Sequence, residues 1–204
     1  SAPPILFGVG DISLCNHGGL GMVGSRNVDS AGEAFAKSVA QICAQSGVSV
    51  ISGGARGVDQ ISMKSALGAK GIAIGVLAEN LLEHSVKRDA REALADSRLV
   101  LLSPYHPKAR FTVGTAMARN KLIYGLADYT LVVSAEFKKG GTWAGADEEL
   151  KRENRRPVFA RIDQNSPAAN QKLVELGATA WPLDLDGKSL GESLSTALTT
   201  FNCT

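Results

Sequence analysis

Short runs of apolar residues alternate with longer amphipathic segments along the whole chain. The runs are rich in Val, Ile and Leu, as expected for parallel strands that are buried on both faces. They predict the strands Leu20 to Gly24, Val48 to Ile51, Ile72 to Val76, Leu99 to Leu102, Thr130 to Val133 and Val158 to Ala160. The amphipathic segments predict the helices Ala31 to Ser46, Val58 to Leu67, Val86 to Asp96, Gly114 to Leu126, Ala144 to Glu153, Pro167 to Leu176 and Gly187 to Phe201. Alternation of this kind predicts a three-layer α/β fold, a mostly parallel sheet with helices on both faces.

The length and composition favour one domain. A chain of 204 residues, 44% of them hydrophobic, is long enough to bury one sizeable core. We find no repeat, low-complexity tract or interdomain linker, and only Gln164 to Ala169 has the composition of a flexible surface loop. We therefore expect residues 1–204 to form a single domain. Because Ser1 stands where an initiator Met would be, we also expect a processed or excised chain, from which flanking domains can be missing.

The charge of the chain is nearly balanced, with 22 basic against 20 acidic residues and a formal net charge of +2. Binding of nucleic acid must therefore come from local clustering of cations. The cysteines are odd in number and widely spaced and the histidines are scattered, so neither a disulfide framework nor a metal site is expected. These residues are Cys15, Cys43, Cys203, His17, His84 and His106. The cysteine usage, and the lack of an apolar run of about 20 residues, indicate a cytoplasmic protein without a membrane span.

The most informative loop joins the predicted strand ending at Ile51 to the helix beginning at Val58, and it reads Ser52-Gly53-Gly54-Ala55-Arg56-Gly57. Its three glycines let the backbone turn sharply and approach a ligand, with the free N–H groups of a helix start behind it. Arg56 adds a planar cation suited to phosphate. The loop is predicted to hold a phosphorylated partner, with an ordinary tight strand-to-helix turn as the alternative.

Other basic residues follow the ends of the neighbouring strands. In open parallel sheets, ligands bind beyond the carboxyl ends of the strands, so these loops share one rim. They collect eight cations there, namely Arg26, Arg56, Lys108, Arg110, Arg119, Lys121, Lys138 and Lys139. The rim is predicted to form a basic mouth that attracts a polyanion or a nucleotide phosphate. Two of these loops also have an ordinary structural explanation. Ser25-Arg26 can be a turn that leads into a helix. Arg119-Asn120-Lys121 can be solvent-exposed charge on a helix whose Met117, Leu122 and Ile123 face the core.

Two nucleotide-binding motifs are missing from the chain. No G-x-x-x-x-G-K-[ST] sequence is present, so hydrolysis by a P-loop mechanism has no support. The glycines from Gly18 to Gly24 lie before and within the predicted strand, and Ser52 stands where an acid that binds ribose would be expected, so NAD binding is not predicted. We expect no cofactor. Trp143 is expected either in the core or as a stacking platform for a base.

Four ordered segments resemble the DprA/Smf family of DNA-processing proteins. They are GSRNVDSAG at 24–32, ISGGARGVDQISMKSALGAKG at 51–71, MARNKLIYGLAD at 117–128 and GGTWAGADEELKRENRRPVFA at 140–160. The family's marks are G-S-R, S-G-x-A-x-G-[IV]-D, R-N-[RK]-x-I-x-x-L-[SA] and S-G-[ST]. The match runs over about residues 3–160 and includes PPILFGVGD at 3–11 as a lead-in to the first strand, so residues 161–204 are expected to add further α/β elements.

The resemblance implies an extended Rossmann-like domain that binds single-stranded DNA in a basic pocket, dimerises, and passes the strand to a RecA-type recombinase in natural transformation. The family's DNA-contacting pocket maps onto Ser25, Arg26, Gly53, Arg56, Gly57, Arg119, Asn120 and Lys121. With the flanking loop residues, the predicted phosphate-binding set also includes Gly24, Ser52, Gly54, Lys139, Gly140, Gly141 and Thr142. Lys121 replaces an arginine common in the family, and Gly140 to Trp143 replaces the usual S-G-[ST]-L. No winged-helix module is seen after Ala160 and no helical module before Pro3.

The chain is also similar to the cytokinin-activating, lysine-decarboxylase-like phosphoribohydrolases, whose pattern ends in G-G-x-G-T-x-x-E. Aligning Gly141-Thr142 with that G-T places Gly145 where the catalytic glutamate should be. Glu148 and Glu149 lie one helical turn further on, either as substitutes or as ordinary solvent-facing acids. A binding protein for single-stranded DNA without catalytic residues is therefore preferred, and a nucleotide sensor or nucleoside-monophosphate hydrolase is the alternative.

Overall fold

The computed structural model describes residues 3–182 and 190–201 and shows one eight-stranded sheet. The strands are β1 (Phe7–Gly10), β2 (Leu20–Gly24), β3 (Val50–Ser52), β4 (Ala73–Val76), β5 (Leu99–Ser103), β6 (Tyr129–Ser134), β7 (Val158–Ala160) and β8 (Thr179–Ala180). Their order is β1-β5-β4-β3-β2-β6-β7-β8, and the pairings are parallel except that of β1 with β5. The predicted α/β class with a mostly parallel sheet is confirmed.

Eight α-helices connect or flank these strands within the described residues. They are α1 (Ser30–Gln45), α2 (Val58–Gly68), α3 (Leu81–Val86), α4 (Arg88–Ala95), α5 (Val113–Leu126), α6 (Gly140–Leu150), α7 (Ala168–Glu175) and α8 (Leu190–Phe201). A 3-10 helix at Ile12–His17 precedes β2. The predicted start of the last helix at Gly187 lies outside the described residues. The helix predicted from Val86 to Asp96 is found as α4, which begins after Lys87. Lys87 takes an extended conformation (φ −59°, ψ 142°) and separates α4 from α3, a helix that was not predicted.

Alternate residues of each central strand face opposite layers of helices. On β6, Val132 belongs to the core cluster formed with α5, α6 and α7, whereas Leu131 and Val133 belong to the core cluster formed with α1, α2 and α8. This period of two places an apolar side chain on both faces and explains why the strands appear as continuous apolar runs. Trp143 is buried in the α5–α6 layer, so its core alternative holds and it is not a stacking platform.

The direction in which successive strands are added to the sheet reverses between β2 and β6. From β2 the chain builds outward through β3, β4 and β5, and it returns to the other side of β2 to build β6, β7 and β8. The loops after β2 and β6 therefore diverge at the carboxyl edge of the sheet and leave a crevice between them. Three of the eight predicted rim cations, Arg26, Arg119 and Lys139, line this crevice.

Candidate functional site

A cavity of about 370 Å³, called here the main cavity, opens at the carboxyl ends of β2 and β6. Its walls come from four parts of the chain: the end of β2 with residues 24–27, the start of α2 with Ala55 just before it, helix α5 with Phe111 before it, and the segment from the end of β6 to the start of α6. These parts are distant in sequence and meet because parallel strands end at the same edge. Two further cavities border it, a side cavity of about 430 Å³ beyond Phe111 and an interhelix cavity of about 320 Å³ between α5 and α6.

A buried ion pair lies at the base of the main cavity. Arg119 on α5 is 3% exposed, and its Nη1 is 3.7 Å from Oδ2 of Asp59 on α2. Burial raises the pKa of the Asp59 carboxyl, while the charge of Arg119 and the backbone N–H groups of Ala55 and Gly53 oppose that rise. Burial likewise lowers the pKa of Arg119. A distance of 3.7 Å is too long for a hydrogen bond, so Nη1 of Arg119 has no hydrogen-bond partner among the described residues, and neither has its Nε.

Gly53 packs directly beneath the guanidinium of Arg119. A Cβ atom at residue 53 would lie 1.4 Å from Nη1 and 2.3 Å from Cζ of Arg119. Glycine is therefore required here by close approach within the protein, which is a different reason from the phosphate approach that the loop pattern suggests. Arg119 was predicted as part of the basic rim, with solvated charge on a helix as the alternative, and the structure places it buried in the base of the cavity.

Arg26 and Phe111 form the wall between the main cavity and the side cavity. The guanidinium carbon of Arg26 lies 4.7 Å from the centre of the Phe111 ring, in a cation–π arrangement. Both residues line both cavities, and Phe111 is 37% exposed. On the side-cavity face, Arg56 donates a hydrogen bond of 2.5 Å from Nη2 to Oδ1 of Asn27. Phe111 and Asn27 were absent from the predicted site.

Helix α6 begins at the main cavity without a side-chain cap. Its N-cap residue, Lys139, makes no capping hydrogen bond, and the cavity is lined by the first three helical residues, Gly140, Gly141 and Thr142. Free N–H groups and the positive end of the helix dipole make such a start favourable for an anion. Asn120 fixes this start to α5 by donating from Nδ2 to the Gly141 carbonyl at 3.1 Å.

The interhelix cavity lies beside the main cavity and shares Met117 and Gly141 with it. Lys121 lines this second space, where its Nζ is 2.7 Å from Oε1 of Glu148. Lys121 is thus separated from the predicted cations that line the main cavity. The two acids considered as catalytic substitutes also line the interhelix cavity: Glu148 pairs with Lys121, and the buried Glu149 accepts from Arg152 at 2.8 Å.

The predicted set divides among the three cavities. The main cavity receives Gly24, Ser25, Arg26, Arg119, Asn120, Lys139, Gly140, Gly141 and Thr142. The side cavity is lined by Gly53, Gly54 and Arg56, and also by Arg26 and Arg119, which line both cavities. Ser52 and Gly57 line none of the three, since Ser52 is buried and donates from Oγ to the Met22 carbonyl at 2.6 Å, and Gly57 packs against the backbone of Ser25. Three further rim cations, Lys108, Arg110 and Lys138, also lie outside these cavities.

The charges in the main cavity favour an anion. Its described lining carries three cations, Arg26, Arg119 and Lys139, and two acids, Asp59 and Glu136. Each acid is already engaged: Asp59 with Arg119, and Glu136 with Lys139 at 2.6 Å. The described residues contain no group of three or more His, Cys, Asp or Glu arranged to hold a metal ion. Across the same residues, no helix is long and apolar enough to span a membrane.

Comparison of the sequence with known proteins gives consistent matches. The profile of the family described as DNA recombination-mediator protein A matches residues 1–186. The DNA processing protein DprA of Bacillus subtilis is 32% identical over 185 residues, which cover 87% of this chain and 61% of that protein. The protein Smf of Escherichia coli is 32% identical over 140 residues, covering 68% of this chain and 37% of that protein. The chain therefore spans less than two thirds of the length of these curated relatives.

Solved structures share the fold. DNA processing protein A from Helicobacter pylori, described for its single-stranded DNA binding mode, has a TM-score of 0.74 at 22% identity and covers 100% of this chain and 89% of that chain. DNA processing protein A from Streptococcus pneumoniae has a TM-score of 0.76 at 23% identity, and the match covers 96% of this chain and 66% of that chain. The molybdenum cofactor carrier protein of Chlamydomonas reinhardtii has a TM-score of 0.57 at 20% identity, with 88% and 97% covered.

Proposed function

Because this chain belongs to the DNA recombination-mediator protein A family, we propose that its main cavity binds single-stranded DNA and leaves the strand intact. The ordered DprA/Smf motifs predicted that membership from the sequence. The observation that carries the proposal is the convergence of a buried arginine, an uncapped helix start and a second arginine in one cavity. Arg119 contributes a buried guanidinium whose Nε and Nη1 have no hydrogen-bond partner among the described residues, and α6 begins beside it in the same cavity.

A phosphodiester group suits this set of donors. Arginine matches phosphate oxygens with paired N–H groups, and backbone N–H groups at a helix start bind the same oxygens without reading sequence. The Asp59 carboxylate holds Arg119 in place and reduces the net charge at the base. Arg26 therefore supplies the main uncompensated side-chain cation of the cavity, with Lys139 at its edge.

The mouth of the cavity offers apolar surface for bases. Phe111, Val113 and Met117 are 37%, 68% and 43% exposed and all line the main cavity. Bases of a single strand are free to stack on such side chains, whereas a duplex keeps them paired and stacked inside. We therefore expect single strands to bind in preference to duplexes.

The same cavity is a poor candidate for glycosidic cleavage. Within the part of the chain that the structure describes, the carboxylates lining the main cavity are Asp59 and Glu136, and both are held by neighbouring cations. The position of the phosphoribohydrolase glutamate is Gly145, and Glu148 and Glu149 line the interhelix cavity. A general acid or base free to act at the main cavity is missing from this set, which supports binding without turnover.

We extend the proposal to the partners that the family resemblance implies. The bound strand is passed to a RecA-type recombinase, the working form is a homodimer, and the site of action is the cytoplasm. These steps require surfaces beyond the main cavity. Co-purification with a recombinase on single-stranded DNA, and sedimentation of the protein alone, test the two partners separately.

The central test is fluorescence anisotropy of labelled single-stranded and double-stranded oligonucleotides over a salt series, with a mononucleotide as competitor. We expect a preference for the single strand and a slope of log K against log salt of about −0.7 for each phosphate contacted. The variant Arg26→Glu should weaken binding by about tenfold or more and make the slope shallower.

The control is Arg88→Glu, which reverses a charge on α4 at a side chain that is 90% exposed and outside the three cavities. It should bind like the wild type. Equal losses from both variants would show only a general charge effect, and unchanged binding by Arg26→Glu would refute the proposed site. Tight competition by one mononucleotide would favour a nucleotide sensor instead.

A further inference from the structure

We propose that the interhelix cavity between α5 and α6 binds one nucleobase of the strand whose backbone occupies the main cavity. This inference rests on the proposed function and assigns a second, uncharged contact to the same strand. The two cavities share Met117 and Gly141, so a nucleotide held at the start of α6 has both spaces within reach.

The charges around the interhelix cavity favour a neutral occupant. Its four charged lining residues form two pairs, Lys121 with Glu148 at 2.7 Å and Arg152 with Glu149 at 2.8 Å. The main cavity differs, because Arg26 lies over an aromatic ring there and two nitrogens of Arg119 have no hydrogen-bond partner among the described residues. A phosphate is therefore better held in the main cavity, and a neutral polar group is better held between the helices.

A buried hydroxyl group without a hydrogen-bond partner also indicates that the interhelix cavity binds a ligand. Tyr124 lines the interhelix cavity and is 1% exposed, and its hydroxyl has no hydrogen-bond partner among the described residues. Burial raises the pKa of Tyr124, with the Glu149 charge acting in the same direction, so the phenol keeps its proton and can donate or accept. Buried polar groups without partners are uncommon in folded proteins, and a bound ligand is one way in which they are satisfied.

The shape of the cavity suits a planar ring. Its facing walls carry small residues, Ala118 on α5 with Ala144 and Gly145 on α6. A Cβ atom at Gly145 would lie 3.1 Å from Cε2 and 3.6 Å from the hydroxyl of Tyr124, so glycine leaves space directly over the edge of this ring. The volume of about 320 Å³ falls at the lower end of the range, about 300 to 1,000 Å³, in which small-molecule sites lie.

The test compares two single strands of equal length and charge, oligothymidylate and its fully abasic counterpart, in anisotropy titrations at one salt concentration. The variant Tyr124→Phe removes only the hydroxyl and should weaken oligothymidylate binding by about two- to tenfold. Ala118→Leu fills the cavity from an exposed helix position and should weaken oligothymidylate binding by about tenfold. Neither should change binding of the abasic strand. Ala168→Leu, at an exposed position outside the three cavities, is the control and should change neither.

The outcomes separate this inference from the proposed function. If the wild type binds both strands and the variants leave both affinities unchanged, or lower both equally, the base site is refuted while DNA binding stands. If the wild type binds neither strand, the proposed function fails and the inference fails with it. Circular dichroism of Tyr124→Phe checks its fold, and Ala118→Leu keeps the test decisive if that variant is destabilised.

Discussion

Arg119 and Asp59 join the two layers of helices across the carboxyl edge of the sheet. Arg119 belongs to α5 on one face, Asp59 belongs to α2 on the other, and their charged atoms approach to 3.7 Å with both side chains almost fully buried. A buried charge without its partner is costly, so the pair fixes the relative position of α2 and α5. The base of the main cavity is thus also part of the core.

We predict strong thermodynamic coupling between these two residues. Asp59→Asn and Arg119→Met each remove one charge with little change in volume, and each should lower the free energy of unfolding by about 3–5 kcal/mol. The double variant should lose clearly less free energy of unfolding than the two single variants together, because neither charge is then left unpaired. Urea denaturation of the four proteins completes the cycle. Single losses that add to within about 0.5 kcal/mol would show that the pair is not coupled.

A second prediction concerns Gly53, which supports the Arg119 guanidinium. Gly53→Ala forces a Cβ into the position of Nη1 and should lower the free energy of unfolding by about 1–3 kcal/mol as Arg119 is displaced. It should also weaken single-stranded DNA binding. Gly68→Ala is the matched control, since an added Cβ there meets nothing within 4 Å at the exposed end of α2. The control should be neutral or stabilising by about 0.5–1 kcal/mol, and equal behaviour of both variants would contradict the packing argument.

The sequence predicts the centre of the sheet better than its edges. Central strands such as β2 and β6 are covered on both faces, so nearly all of their residues are buried and most of these are apolar. The edge strands lack this signal: β1 exposes three of its four residues, and β8 is two residues long. Both form because a neighbouring strand offers free backbone groups, which is a tertiary effect that local pattern does not record.

The sequence predicts which loops form the site better than it predicts the orientation of individual side chains. The topology brings the strand-end loops together wherever the sheet is parallel, so the rim could be foreseen. The burial of Arg119 was missed, although it lies four residues before the buried Ile123 on the same face of α5. Met117 was expected in the core and is 43% exposed. Phe111 carries no local signal, because its role depends on the ring meeting Arg26 across the cavity.

A third prediction follows from the fully buried Arg161 beside β7. Its Nε and Nη2 both bind the Asp163 carboxylate, at 2.5 and 2.9 Å, and this hydrogen bonding lowers the pKa of Asp163. A carboxyl with a lowered folded pKa stabilises the fold above its unfolded value, about 3.9, and loses that contribution as pH falls through the folded value. Asp163→Asn should therefore cost about 3 kcal/mol near neutral pH, with the difference shrinking toward zero in acid.

Urea denaturation of wild type and Asp163→Asn between about pH 2 and pH 7 checks this dependence. Asp96→Asn is the control, because Asp96 pairs with Arg98 at 2.8 Å while 57% exposed, and it should change stability little at any pH. A difference for Asp163→Asn that stays constant across the range would contradict this prediction, because it would mean that the loss does not depend on ionisation of the Asp163 carboxyl.

The final prediction separates two thiols by their burial. Cys43 on α1 is fully buried, and burial raises its pKa to about 12, whereas Cys15 is partly exposed and its pKa is raised by a lesser burial. The thiolate is the reactive form, so a maleimide should label Cys15 in the folded protein and reach Cys43 only when α1 opens. Mass spectrometry of the protein carrying Cys203→Ser gives the number of labelled thiols directly. Adding Cys43→Ala should remove only the slow phase, and rapid labelling of two thiols before unfolding would show that α1 is not packed against β2 and β6 as the structure has it.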